Sequence, residues 1–232
     1  MRKKRLLVFS VDALVHEDIS YLFTKPNFKK YLFGGVEVEK ITSIYPTVTY
    51  PIHVSLITGC YPEKHGVISN FKFSTGNKEQ NWNWFADAIN VEDLFTASKH
   101  AGYSTASVFW PVTGCHPDID YLLNEYWMPF PDDTLESAFR RSGTSDEVIA
   151  IADRNKDLLP NTYTLTGRLN MMVQPFIDDF LIACSCDIIR QFAPEVLFVH
   201  NGIMDSTRHK NGVFNDRVTS ALDRVDLNLG QL

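Results

Sequence analysis

Thr49 lies in the segment Thr47-Val-Thr49-Tyr-Pro51, where the chain passes from an extended stretch into a predicted helix. The first turn of a helix has free backbone N–H groups that attract anions. A threonine hydroxyl at such a position can act as a nucleophile if a base or a metal ion lowers its pKa. The same hydroxyl can also simply cap the helix, so the segment alone leaves both interpretations open.

Two further groups of polar residues follow predicted strands. Asp12 comes directly after the apolar run Leu6–Val11, and Asp205 and His209 follow the strand that ends at His200. Residues four apart share one face of a helix, so Asp205 and His209 can offer an oxygen and a nitrogen to a metal ion such as zinc. Asp12 could equally cap the next helix, and the spacing of Asp205 and His209 is common on exposed helices.

Strands and helices must alternate along the chain if these residues are to meet. Continuous apolar runs predict buried strands, and alternation of β-branched and polar residues predicts a further one. The predicted strands are Leu6–Val11, Gly35–Tyr45, Ser104–Trp110 and Glu195–His200. Helical periodicity and end signals predict the helices Pro51–Ile57, Val91–His100, Gln174–Phe192 and Val213–Leu232. Gly59 would end the first of these helices, and Asn90 would cap the second. Pro129–Leu159 has further helical patterning.

This alternation predicts an α/β fold, a mostly parallel sheet with helices on both faces. Ligands of such sheets bind at the carboxyl ends of the strands. We therefore expect the site among Asp12, the loop Pro46–Pro51, Trp110-Pro111 and the segment after His200.

The composition is that of an ordinary globular protein. Of the 232 residues, 44% are hydrophobic and 22% charged, and the net charge of −6 comes from interspersed signs, which gives no footprint for nucleic acid binding. Four cysteines fit no familiar zinc-finger or redox spacing and are interpreted as small buried residues without disulfides.

The beginning of the chain imitates a signal peptide, with a basic segment Met1–Arg5 before the apolar Leu6–Val11. The apolar run is too short for that role, and Asp12 interrupts it. No segment approaches the length that spans a bilayer. The sequence therefore predicts a cytoplasmic protein without a membrane segment.

An ordered series of motifs favours the functional interpretation of these separate residues. They are, in chain order, Phe9-Ser-Val-Asp12, Tyr45-Pro-Thr-Val-Thr-Tyr-Pro-Ile-His53, Ser55-Leu-Ile-Thr-Gly-Cys-Tyr-Pro-Glu-Lys-His-Gly-Val67 and Asn70. This series closely resembles the nucleotide pyrophosphatase/phosphodiesterase family of the alkaline phosphatase superfamily. Phe109-Trp-Pro111 and the segment with Asp205 and His209 also fall where that family has similar sequences, so the resemblance extends over nearly the whole chain.

The resemblance implies a role for each matching residue. Thr49 would be the nucleophile and, with Asp12, a ligand of one of two divalent metal ions, for which zinc suits the ligand types and manganese or iron stays open. Asp205 and His209 would bind the second ion. Asn70 would hydrogen-bond a phosphate oxygen, and Tyr50 would line the pocket in which a substituent such as a nucleobase stacks. The implied reaction is hydrolysis of a phosphodiester or phosphoanhydride through a covalent phosphothreonine.

Other conspicuous side chains have simpler interpretations. His53 and His65 are interpreted as structural, bonding within the helix and the following turn. The aromatic cluster of Trp82, Trp84 and Phe85 is interpreted as core or lid rather than as a substrate box, whereas Trp110 stays open because it lies near the expected site.

The family pattern continues past the position of Leu232 with an Asp-His pair and a later histidine that complete both metal sites. Each ion would keep only two ligands from this chain, whereas a catalytic zinc normally has three. We therefore expect residues 1–232 to form a single alkaline phosphatase-like catalytic domain that lacks its C-terminal part. A fragment of a longer enzyme, a half whose partner chain supplies ligands in an oligomer, and a degenerate binding module are the three explanations.

Two alternatives to a hydrolase of small nucleotide-like phosphodiesters remain. The same fold could hydrolyse a phosphonate, a phosphomonoester or a phospholipid headgroup. The chain could instead be a binding module that keeps the pocket without the reaction.

Overall fold

The computed structural model describes residues 4–39, 41–73, 75–76, 81–127, 130, 132–160 and 170–232. Its strands are β1 (Leu6–Val11), β2 (Thr105–Val108), β3 (Tyr121–Leu123) and β4 (Val196–Asn201). They form one sheet in the order β1-β4-β2-β3, and every adjacent pair is parallel. In the register, Leu6 is paired with Val196 and Val11 with Asn201.

Helices surround this sheet. The described helices are α1 (His16–Leu22), α2 (Pro26–Leu32), α3 (Thr49–Thr58), α4 (Pro62–His65), α5 (Leu94–His100), α6 (Leu135–Arg141), α7 (Asp146–Asn155), α8 (Phe176–Phe192), α9 (Ile203–Asn211) and α10 (Asp216–Gln231). Short 3₁₀ turns occupy Ala86–Ala88 and Lys156–Leu158. None of the helices in the described part of the chain is long and apolar enough to cross a bilayer.

Alternate residues of β4 point to opposite faces of the sheet, as strand geometry requires. Leu197 and Val199 pack in the cluster that contains the apolar faces of α7 and α8. Val196 and Phe198 pack in a second cluster, which contains Ile57 of α3 and Phe95 of α5. The predicted parallel sheet with helices on both faces is therefore confirmed.

A third apolar cluster joins the helices that follow β1 to those that follow β4. Leu22, Phe28, Met204 and Leu222 are all buried in it, so that α1, α2, α9 and α10 pack against one another. This packing fixes α9, the helix of Asp205 and His209, relative to the end of β1.

The predicted strand Gly35–Tyr45 is wrong for the residues that the structure describes in it. Residues 35–39 and 41–45 have no strand conformation, and Val36 and Ile41 are 98% and 80% exposed. A strand is stabilised by pairing with a neighbour and by burial of one face, and neither is present for this segment among the described residues. Alternation of residue types alone was therefore not sufficient evidence for a strand.

Helix starts also differ from the prediction. The helix predicted from Val91 begins at Leu94, because Asp93 rather than Asn90 caps it by accepting hydrogen bonds from Phe95 N at 2.9 Å and Thr96 N at 3.0 Å. The last helix begins at Asp216 behind the cap Asn215, not at Val213. Gly59 ends α3 in the left-handed conformation, as expected.

The prediction of buried free cysteines is confirmed in part. All four cysteines are free, but only Cys184 and Cys186 are buried, whereas Cys115 is exposed.

Candidate active site

A cavity of about 280 Å³ opens at the carboxyl edge of the sheet. The predicted site residues that line it are Asp12, Thr49, Tyr50, Asn70, Asp205 and His209. They come from the end of β1, the start of α3, the loop after α4, and α9. Six residues from four distant segments thus meet where the strand-end rule for parallel sheets places a ligand.

Thr49 and Asp12 are in direct contact. The Thr49 hydroxyl donates to Asp12 Oδ2 at 3.2 Å, and Asp12 Oδ1 accepts from Ala13 N at 3.0 Å. Thr49 is the first residue of α3, and the N-cap is Val48, which has no side-chain capping bond. The capping interpretation of Thr49 is therefore wrong. Asp12 does not cap α1 either, because the N-cap residue of that helix is Val15.

Asn70 is oriented by the backbone of α3. Its Oδ1 accepts from Tyr50 N at 2.9 Å, so the amide Nδ2 is the end that remains for a ligand. This bond also engages one of the first-turn N–H groups that the sequence had suggested for an anion. Pro51 has no N–H, so the side-chain amide of Asn70 replaces part of the expected backbone contribution.

His53 fixes the backbone of Thr49. Its Nδ1 lies 2.8 Å from Thr49 O and its Nε2 lies 3.0 Å from Ser10 Oγ. A carbonyl oxygen only accepts, so Nδ1 carries the proton and Nε2 accepts from the Ser10 hydroxyl. Burial lowers the pKa of His53, although the charge of Asp12 opposes that shift, and the neutral form fits these bonds.

The other residues interpreted as structural are largely so. His65 Nε2 lies 2.9 Å from Ser55 Oγ, and its Nδ1 accepts from Val67 N at 3.2 Å. Trp84 is buried in the core. Trp110, whose role the sequence left open, is buried too and packs edge-on against His53 at 4.9 Å between ring centroids. Trp82 differs from them, because it lines the cavity.

Asp205 and His209 lie one turn apart on α9, as predicted, with 3.3 Å between Asp205 Oδ1 and His209 Nε2. Burial, followed by the charge of Asp12, raises the pKa of Asp205, while His209 lowers it. The His209 side chain is 80% exposed at the mouth of the cavity. A bound cation would offset the charge of Asp12 that raises the pKa of Asp205.

Two buried carboxylates hold α9 in place. Asp178 accepts from Gly202 N at 3.2 Å and Ile203 N at 2.7 Å at the start of the helix, and burial raises its pKa to about 6. Arg208 Nη2 donates to both oxygens of Asp18, at 2.8 and 2.9 Å, and Arg208 Nη1 donates to Ala13 O. Arg208 therefore connects α9 to the residue after Asp12.

Glu125 is a site residue that the sequence reasoning missed. It lines the cavity and is 7% exposed, and burial raises its pKa to about 8. The Tyr50 hydroxyl lowers this pKa without forming a regular hydrogen bond, and Asp12 and Asp205 raise it further. Glu125 follows β3 by two residues, so the strand-end rule would have found it if that three-residue strand had been recognised.

Three of the aromatic rings that line the cavity pack against one another. Tyr50 is fully buried beneath Trp82, with 5.4 Å between their ring centroids, and Trp82 meets Trp127 at 4.2 Å and 72°. Trp82 and Trp127 therefore form a corner, whereas the Tyr50 ring supports it from behind. The assignment of Tyr50 to the pocket wall holds in position, but its ring face is covered.

The candidate metal donors are of the types that the expected ions bind, but they are too few for two complete sites. Asp12 with Thr49 offers two oxygens, and Asp205 with His209 offers an oxygen and a nitrogen, both suited to zinc. Within the described ranges, no group of three or more His, Cys, Asp or Glu side chains is arranged to hold a metal ion. Each pair by itself therefore offers fewer donors than the three that a catalytic zinc normally has.

A family model described as type I phosphodiesterase / nucleotide pyrophosphatase matches residues 6–232. Human ectonucleotide pyrophosphatase/phosphodiesterase family member 1 is 28% identical over 244 residues, covering 97% of this chain and 21% of that protein. The bis(5′-adenosyl)-triphosphatase of Xenopus laevis is 27% identical over 113 residues, covering 46% of this chain and 24% of that protein. The chain thus spans about a fifth of the length of the first of these relatives.

Solved structures show the same fold. Murine ectonucleotide pyrophosphatase/phosphodiesterase 5 superposes with a TM-score of 0.59 at 20% identity, over 98% of this chain and 51% of that one. Phosphonoacetate hydrolase from Sinorhizobium meliloti superposes with a TM-score of 0.66 at 14% identity, over 99% of this chain and 53% of that one. At these identities the likeness is evidence for the fold and not for a substrate.

Proposed function

The chain belongs to the type I phosphodiesterase / nucleotide pyrophosphatase family, and from this premise we propose that it is the part of a metal-dependent hydrolase that cleaves phosphodiester or phosphoanhydride bonds with Thr49 as nucleophile. The observation that carries the proposal is the Thr49 hydroxyl at the start of α3, bonded to Asp12 in the cavity that Asp205 and His209 share. Nucleotide-like diesters and anhydrides are the substrate class, since the relatives bear the names of enzymes that act on them.

In the proposed reaction, the cavity residues have separate roles. Asp12 accepts the Thr49 hydrogen bond and directs the hydroxyl, while His53 holds the Thr49 carbonyl from behind. The Thr49 hydroxyl releases its proton and Oγ1 attacks phosphorus. The new P–O bond forms while the bond to the leaving alcohol or phosphate breaks, and the leaving oxygen takes up a proton. Water then hydrolyses the resulting phosphothreonine. The Nδ2 amide of Asn70 donates to a phosphate oxygen whose charge grows during attack.

Asp12 and Thr49 would hold one divalent metal ion and Asp205 and His209 a second, with further donors from outside the part of the chain that the structure describes. Bound there, the ions would lower the pKa of the Thr49 hydroxyl and offset the charge of the phosphate oxygens. Zinc fits the donor set best.

The test is hydrolysis of bis-p-nitrophenyl phosphate by the full chain with added zinc. Thr49→Ala should lower kcat/KM by about 10³-fold or more, because it removes the attacking atom. Thr47→Ala is the matched control: this exposed threonine two residues earlier bonds Ile44 O, so its loss should leave the rate near wild type. Equal activity of wild type and Thr49→Ala would refute the assignment of Thr49 as nucleophile, and phosphate trapped on Thr49 in a quenched reaction would support it.

A further inference from the structure

His200 is a buried residue of the cavity that has no role in the reaction described above. It lies on β4 opposite Ser10 of β1, and its side chain lines the cavity together with Asp12 and Thr49. The residue is 6% exposed, and its Nδ1 has no hydrogen-bond partner among the described residues. Its Nε2 lies 3.9 Å from Asp12 Oδ2, which is beyond hydrogen-bond distance.

The other buried histidines that the structure describes use both of their ring nitrogens within the protein. Their partners lie at 2.8–3.2 Å, and these residues are His53, His65 and His116. The His200 ring packs edge-on against the ring of His53, with 4.5 Å between their centroids, which places the ring but pairs neither nitrogen of His200. Because buried polar groups are nearly always paired, the Nε2 of His200 is available for a ligand of the cavity.

The spacing around Asp12 indicates what that ligand is. Thr49 Oγ1 and His200 Nε2 lie 3.2 and 3.9 Å from the same oxygen, Asp12 Oδ2. Bonds of about 2.0–2.1 Å from a tetrahedral zinc ion place two of its donor atoms about 3.3 Å apart. The two observed distances lie on either side of this value, so the three side chains are spaced like the donors of one metal ion.

The charges of the cavity favour a cation over an anion at this point. The carboxyl groups of Asp12 and Asp205 line the cavity, and no Lys or Arg is among the described residues that line it. A buried imidazole favours its neutral form, and with the proton on Nδ1 the Nε2 of His200 has a lone pair. A lone pair beside a carboxylate attracts a metal ion and repels phosphate oxygens, and imidazole nitrogen is a preferred donor for zinc.

We propose that His200 is a further metal ligand, which together with Asp12 and Thr49 gives the ion at the nucleophile three donors from this chain. The inference rests on the proposed function, because that function places a divalent ion at Asp12 and Thr49. Three protein donors leave a fourth position of a tetrahedral ion open for the substrate, as in other catalytic zinc sites.

NMR of the histidine nitrogens tests the proposal. The full chain with ¹⁵N-labelled histidine is titrated with zinc, and the ring nitrogens of His200 and His209 are followed, with a variant that lacks each residue to assign them. We expect the Nε2 resonance of His200 to shift when zinc binds. Replacing zinc with ¹¹³Cd should then split this resonance by a one-bond coupling, which arises only from a direct metal–nitrogen bond.

A substitution of His200 measures how much the ligand contributes to affinity. His200→Phe removes the donor nitrogen but keeps a ring that can pack against His53. Made on a chain that carries His209→Ala, so that the Asp12 site is the one measured, it should weaken zinc binding by about tenfold or more in competition with a fluorescent chelator. His100→Phe on the same chain is the matched control, because His100 lies on α5 outside the cavity and its side chain is 72% exposed.

Two results would overturn the role of His200 alone. One is a metal ion that shifts the nitrogens of His209 but gives the Nε2 of His200 neither a shift nor a coupling. The other is equal zinc affinity of the His200→Phe chain and the His100→Phe control. If His200→Phe does not fold, the ¹¹³Cd coupling in the wild-type chain still decides.

The same experiments separate this failure from that of the proposed function. A metal that neither histidine responds to overturns the role of His200. If wild type also fails to hydrolyse bis-p-nitrophenyl phosphate with added zinc, the proposed function fails as well.

Discussion

At the scale of single residues, the site depends on how each polar side chain divides its hydrogen bonds between the fold and the cavity. Asn70 uses Oδ1 for the backbone of α3 and keeps Nδ2 for a ligand. His53 is neutral and uses both ring nitrogens within the protein. Glu125 is different, because it lies buried against two other carboxyl groups without a cationic partner among the cavity-lining residues that the structure describes.

The metal-free protein should lose stability as the pH rises through the pKa of Glu125. The folded pKa is about 8, above the ordinary value of 4.5, so between these values the folded state binds more protons than the unfolded state. The free energy of unfolding therefore falls with increasing pH in this window, by up to about 4 kcal/mol for this group. Urea unfolding at pH 5 and pH 9 with a chelator present measures the change.

Glu125→Gln isolates this effect, because an amide does not titrate. Its stability should change less between pH 5 and pH 9 than that of wild type, and at pH 9 it should be the more stable protein. Parallel pH profiles for the two proteins would mean that Glu125 does not carry a raised pKa.

At the scale of elements, the relation between β1 and α9 sets the distance between the two candidate metal-ligand pairs. Asp12 follows β1, and Asp205 and His209 lie on α9. Arg208, on the same helix, bonds Ala13 O and the buried Asp18, with side-chain exposures of 8% and 4% for the arginine and the aspartate. A planar guanidinium can form all of these bonds at once, whereas an ammonium cannot.

Arg208→Lys should therefore lower both stability and activity. We expect a loss of about 2 kcal/mol in urea unfolding, since the charge stays but the bonds to Ala13 and Asp18 cannot all form. We also expect kcat/KM for bis-p-nitrophenyl phosphate to fall by about tenfold, because α9 is less firmly placed against Asp12. Arg217→Lys, at an exposed position of α10, is the matched control. Equal stability of the two variants would show that the contacts of Arg208 contribute little.

At the scale of the whole molecule, two segments of the chain expose apolar side chains. β1 is an outer strand of the described sheet, and Leu6 and Leu7 are 48% and 42% exposed. In the segment after α2, Val36 and Ile41 are 98% and 80% exposed. Exposed apolar residues next to an open strand edge favour association with another chain.

The 232-residue chain should consequently self-associate as its concentration rises. Val36→Lys combined with Ile41→Lys should reduce the association, because the two substitutions replace exposed apolar side chains with charged ones. Light scattering and size-exclusion chromatography across a concentration series measure the effect. Ser220→Lys, at an exposed position on α10, is the control and should associate like wild type. A chain that stays monomeric at high concentration would contradict this prediction.

The location of the protein and its extent as a single domain stay predictions, and so do the roles assigned to Thr49, Asn70 and the metal donors. The positions of these residues in the fold, unlike their roles, can be compared with the structure. The sequence placed Thr49 correctly at a helix start and Asp12 and Asp205 correctly after strand ends, because each lies in a short motif whose local conformation follows from nearby residues.

Local patterns by themselves predicted the parallel α/β fold, and the resemblance of the motifs to a known family supplied the family and the two pairs of candidate ligands. Apolar runs and end signals specify strands and helices over about ten residues, and the motifs around Thr49 are of that length. The strand predicted at Gly35–Tyr45 failed because strand formation depends on a distant partner, which local alternation cannot report.

Only the tertiary structure revealed Glu125 and the contacts of Arg208. Glu125 meets Tyr50 across 75 positions of the chain, and Arg208 meets Asp18 across 190. The burial of a carboxyl group and its distance from other charges follow from the packing of distant segments. The raised pKa of Glu125, and the lack of a hydrogen-bond partner for its Oε2 among the described residues, are therefore properties of the folded molecule.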